Sequence, residues 1–178
     1  MRRLLAFALL STVLAAPARA QPVMGDMHAA VNDVQKKIID LARAIPETAY
    51  GWRPGTGVRS VGEVLQHVAA DNYILPVYLG KPAPPATGIT KDYKTAVAYE
   101  TRKAGKAAVV ADLEASFRHL HEGMGLVTDQ NLGGSIDWFG EPATRHKAIV
   151  SMVTHLHEHL GQLIAYARSN GVKPPWSR

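Results

Sequence analysis

Apolar residues recur every three or four positions in four long stretches of the chain, and no stretch carries a convincing alternating pattern. That periodicity lines one face of a helix and leaves a strand with no coherent side. The first stretch spans about 24–44, with Met27, Val31, Val34, Ile38 and Leu41 in step and Pro46 as a stop. The second opens on Ser60-Val61-Gly62-Glu63, a capping box in which the serine and glutamate side chains satisfy each other's free amides. It continues to about Leu79, with a kink expected at Pro76. The third spans about 92–123, weakened locally by Gly105. The fourth starts near Pro142, a good first-turn residue, and stops at Asn170-Gly171, just before Pro174-Pro175. Four such helices around one core read as an all-α four-helix bundle.

The connections complicate a simple up-and-down path. Residues 80–88 hold three prolines and form a stiff link, and residues 123–140 are irregular, with Gly133-Gly134 and Trp138-Phe139. Either can carry a long crossover, and part of the second is expected to be a short extended piece over the bundle end. The aromatics Tyr50, Trp52, Trp138 and Phe139 read first as core plugs and second as the walls of a pocket.

Residues 1–20 are expected to be a signal peptide. Arg2 and Arg3 precede an apolar run of 13 residues, too short to span a bilayer, and Ala18-Arg19-Ala20 offers a cleavage site after Ala20. The remaining domain, 21–178, is then periplasmic or secreted, with no membrane attachment after cleavage. Removal takes Arg2, Arg3 and Arg19 and no acid, which lowers the formal charge from +5 to +2. The basic balance therefore belongs largely to the export signal, and no basic block argues for nucleic acid as a partner.

The chain has no cysteine and eight histidines. Thiol nucleophiles, thiolate zinc sites and iron–sulfur clusters are excluded, and any metal must be held by nitrogen and oxygen. On the fourth helix His155 and His159 are one turn apart along one edge of the apolar stripe, at about −100° and −60° from its centre at Leu156. On the second helix His67 and Asp71 occupy the matching edge, at about −100° and −60° from Val68. If those helices are neighbours, His67, His155 and His159 meet. Three neutral imidazoles leave a coordination position open, as catalytic sites do. Asp71 is placed to orient His67 or to bind the ion, and Gln162 to hydrogen-bond a ligand imidazole.

The cluster His155-Leu156-His157-Glu158-His159 is not a zincin motif, because His157-Glu158 is followed at the fourth position by Gly161. His28, His119, His121, His146 and His157 read as surface or satisfied residues. Glu63 is accounted for by the capping box.

The pieces Trp52-Arg53-Pro54, Ser60-Val61-Gly62-Glu63-Val64-Leu65-Gln66-His67, His155-x-x-x-His159-Leu160-Gly161-Gln162-Leu163, Tyr166-Ala167-Arg168 and Gly171-Val172-Lys173-Pro174-Pro175 together resemble the DinB/YfiT-like superfamily. The resemblance runs from about Met24 to Trp176. It implies an up-down-down-up bundle with a long crossover, a metal site on His67, His155 and His159 holding zinc or nickel, and a homodimer. It also implies relatives that are thiol-dependent transferases and isomerases; with the open three-histidine site, the chain reads as a metal-dependent enzyme, a hydrolase or thiol-transferase-like, acting on a small molecule that the sequence leaves unknown. Family members often carry a second histidine beside the last ligand, where this chain has Glu158. Two other readings stand beside the enzyme: a non-catalytic bundle that binds a metal or small ligand, and a bundle in which an ion only stabilises the fold.

Overall fold

A computed structural model describes residues 22–177; the expected signal peptide lies outside them. The described elements are α1 (Val23–Ala44), α2 (Val61–Ile74), α3 (Tyr93–Glu100), α4 (Lys106–Met124), a hairpin of β1 (Ser135–Trp138) and β2 (Glu141–Thr144), and α5 (Arg145–Ser169).

The local signals act as their chemistry dictates. At the start of α2 the Ser60 hydroxyl accepts from the Glu63 amide and Glu63 Oε2 accepts from the Ser60 amide at 2.7 Å. Pro76 lies where α2 passes into a short 3-10 turn, Leu75–Leu79, and Gly80 closes that turn at φ 98°. The third apolar stretch differs from expectation, because it breaks into two helices. Asp92 caps α3 by accepting from the Lys94 amide. Past Glu100 the chain folds back, Arg102 lying over the Tyr99 ring and pairing with Asp112. Gly105 then starts α4 in an extended conformation. The fourth helix begins at Arg145 rather than near Pro142. Thr144 caps it by accepting from the Lys147 amide, and Pro142 instead pairs with Asp137 in the hairpin, whose outer edge needs no amide from it.

Contacts at the helix ends give the direction of each helix. The Met24 amide donates to Asp129 just past α4, and Lys106 at the start of α4 donates to the carbonyls of Arg43 and Ile45, so α1 and α4 are antiparallel. Asn72 bonds Ser116 and Tyr73 bonds Asp112, while Pro76 lies against Gly123, so α2 and α4 run parallel. His67 lies beside His159 and Asp71 beside His155, which makes α2 and α5 antiparallel. The bundle is therefore up-down-down-up, with residues 75–105 as the long crossover. The helices touch in the ring order α1, α4, α2, α5, so chain neighbours α1 and α2 sit on a diagonal.

Phe117, Ile38, Leu41, Leu65, Met152 and Leu156 are fully buried at the centre of the core. Gly123 permits the closest approach, since a Cβ there would collide with the Pro76 ring. The crossover lays α3 over the outer side of α2, so nearly all of α2 is buried, His67 and Asp71 included. That cover turns two boundary positions into interior ones.

Candidate metal centre

His67 on α2 and His155 and His159 on α5 come together. Each offers a ring nitrogen, and these lie within 4.8 Å of one another. The ring centroids are 4.5 to 5.3 Å apart and every pair is edge-on, so the three planes converge rather than stack. The α-helical turn sets His155 above His159, and the antiparallel crossing brings His67 opposite both.

Two rings are fixed from outside. His67 Nδ1 lies 2.5 Å from Glu100 Oε2, and Arg59 donates to the other carboxylate oxygen of Glu100 at 3.0 Å. His159 Nδ1 lies 2.9 Å from Gln162 Oε1, and Gln162 in turn donates to the Tyr166 hydroxyl. An acceptor on Nδ1 keeps the proton there and leaves the Nε2 lone pair facing inward, as a metal ligand requires. Burial pushes the His159 imidazole down to about 4; Gln162 opposes this, and the neighbouring His155 and His67 reinforce it. His159 is thus neutral at physiological pH. Burial alone would raise the Glu100 carboxyl, but its bonds to His67 and Arg59 outweigh that and hold it below the usual range.

Asp71 completes the cluster. Its Oδ2 lies 2.8 Å from His155 Nε2 and 3.5 Å from His67 Nε2. The 2.8 Å approach is not aligned as a hydrogen bond, and both His155 Nε2 and Asp71 Oδ1 are buried without a hydrogen-bond partner. Buried polar atoms in native proteins nearly always find partners. Three inward nitrogens and a carboxylate, two of their atoms orphaned, are the donor set a divalent transition metal takes. The residues present fit such an ion.

A cavity of 510 Å³ opens beside this group, with Asp71 and His155 on its floor and Trp138 and Phe139 in its wall. Residues 30–163 match the DinB superfamily. The chain belongs to that family. A DinB-like protein from Bacillus cereus shares the fold with a TM-score of 0.71 at 17% identity, over 89% of this chain and 99% of that one. A conserved protein from Enterococcus faecalis matches with a TM-score of 0.65 at 17% identity, over 84% and 97% of the two chains. A DinB-like protein from Bacillus subtilis gives 0.62 at 16%, over 83% and 93%. No curated protein matches the chain.

In this DinB member the structure joins His67, His155, His159, Asp71 and Gln162 in one place. Glu100 is the member of the group that the sequence did not single out. It sits on α3, read there as the middle of an ordinary long helix; only the cap at Asp92 and the break at Gly105 hint that this piece folds separately. His119 is a correction: it is 5% exposed, and its Nε2 has no hydrogen-bond partner. It is therefore not a surface residue, because α4 packs its ring against Tyr73 of α2. His121 contacts Gln35, His157 reaches back to the Val153 carbonyl, and both stand apart from the centre. Tyr50 is a core plug whose hydroxyl donates to the Ala42 carbonyl, and Trp52 packs edge-on against Tyr166.

Proposed function

We propose that this DinB protein is a metal-dependent enzyme holding one divalent transition-metal ion, zinc or nickel, on His67, His155 and His159. The observation that carries the reading is the convergence of three ring nitrogens, two of them oriented from behind by Glu100 and Gln162. When bound, the ion supplies Lewis-acid polarisation at the position the three histidines leave open. The chain's own residues do the rest. Glu100 and Gln162 hold the ligand rings in one tautomer. Asp71, buried beside His155, is placed to accept or hold a proton at Oδ1. The aromatic wall of Trp138, Phe139 and Tyr93 gives a bound molecule an apolar surface to lie against.

The cavity favours an enzyme over an ion that merely braces the bundle, since a purely structural site needs no 510 Å³ opening beside its ligands. Hydrolysis is favoured over thiol transfer by the expected export, because reduced small thiols are scarce in an oxidising compartment. The exported form begins at Gln21, and N-terminal sequencing of the protein recovered from outside the cytoplasm checks this; an intact Met1 start there would refute it. For the ion, the purified chain is stripped with a chelator and dialysed against Zn²⁺ or Ni²⁺. Elemental analysis is expected to read about one ion per chain. No retained metal would overturn the proposal.

A further inference from the structure

The hairpin tip is built against its own turn chemistry. β1 and β2 pair through Trp138 and Glu141, leaving Phe139 and Gly140 as a two-residue loop with φ of 55° and 88°. Both residues of a primed hairpin turn need positive φ, and Asn-Gly or Gly-Gly suits it best. Phenylalanine at that first position costs backbone strain. Its ring does not bury itself in return: Phe139 is 43% exposed, and Tyr93 beside it 40%. Phe139 stands 4.4 Å from the Tyr78 ring, 5.0 Å from Trp138 and 5.8 Å from Tyr93, centroid to centroid. Together with Leu75, three of these aromatics (Phe139, Trp138 and Tyr93) wall the cavity whose floor is Asp71 and His155.

The charges around that cavity are as informative as its walls. Asp71 and Glu158 line it, and no lysine or arginine does. Lys91, in the neighbouring hollow against Tyr78 and Phe139, is already paired with Asp137. A ligand carrying carboxylates or phosphates away from the metal would meet two carboxylates and no cation. A flat apolar body would instead find faces and edges of three aromatic rings in a cavity of small-molecule size.

We propose that the cavity takes an aromatic molecule with no anionic substituent on its ring, its polar head at His155 and Asp71 and its ring against Phe139, Tyr93 and Trp138. Phe139 is the specificity-determining residue. This rests on the metal-site reading above and adds the substrate class to it. A preference for aryl substrates follows from the same hairpin that the fold holds in a strained conformation.

The test uses zinc-loaded protein and three hydroxamates as probes, read by titration calorimetry, with zinc content measured in each sample. Benzohydroxamate should bind at least about tenfold more tightly than acetohydroxamate, through the apolar area its ring buries. A 4-carboxybenzohydroxamate should bind more weakly than the parent. In Phe139→Gly the aryl preference should fall towards one while zinc content stays unchanged. Glycine is the favoured residue at that φ, so relief of the strain offsets the lost ring contacts and the hairpin is kept. Equal binding of the aryl and methyl probes with zinc in place would overturn this inference alone, as would tighter binding of the carboxylate or an unchanged preference in Phe139→Gly. Failure to load zinc at all would overturn the metal-site reading and this inference with it.

Discussion

Replacing His155 and His159 together by alanine is expected to abolish metal uptake while leaving the bundle folded. The pair supplies two of three ligands, and their loss leaves His67 with Asp71. Loss of even one outer partner typically weakens a site 10–100-fold, so loss of two ligands should lower affinity by more than about a thousandfold. The helix should survive. Alanine has the best helix propensity, and both side chains sit at the edge of the α5 stripe, while Leu156, Leu160 and Leu163 keep its buried face. Far-ultraviolet circular dichroism and elemental analysis on the same sample separate the two effects. A double variant that still holds about one ion per chain would place the metal elsewhere. One that loses its helicity would make these residues structural, and a single His159→Gln variant would then carry the metal test.

The second large effect is expected at Glu100, which touches no metal-facing atom. Its Oε2 lies 2.5 Å from His67 Nδ1, while the ring's Nε2 lies on the side of Asp71. Arg59 holds the carboxylate in place from the surface. Such an outer carboxylate fixes the tautomer of the ligand imidazole and raises its basicity, and losing one commonly costs 10–100-fold in metal affinity. Glu100→Ala should therefore keep the one-to-one stoichiometry with affinity weakened by about that factor. Glu100→Gln keeps an acceptor oxygen without the charge and should fall between the two. Competition with a chromophoric chelator measures all three proteins. Equal affinities would show that His67 is oriented by α2 packing alone.

These two groups also mark what the sequence could and could not reveal. His67, His155 and His159 were legible because a helix fixes angular position by counting. Each falls on the edge of an apolar stripe, and two stripes that share a core bring their edges together. The start of α2 was legible because Ser60 and Glu63 interact within one turn. Glu100 was not. Its partner is 33 residues earlier, and the contact depends on how the crossover lies rather than on any local pattern. The hairpin was legible only in part: a short extended piece was expected within residues 123–140, where β1 lies, but its pairing with β2 was not, for a different reason. Four-residue strands are too short for alternation to stand out, and Phe139-Gly140 lacks the Asn-Gly signal that would mark the turn. Pro142 then looked like a helix start, which it resembles equally well. The burial of His119 was hidden because its partner, Tyr73, lies on another helix. Order along one helix was readable; which loop covers which face was not.

The central claim is that imidazoles from α2 and α5 share one cation. The most direct measurement is diffraction from metal-loaded crystals, with anomalous maps at the metal absorption edge. The account predicts one strong peak per chain, about 2.0–2.1 Å from a nitrogen of each of His67, His155 and His159. A peak bound by other residues, or rings of these three turned away from a common centre in metal-loaded protein, would contradict it.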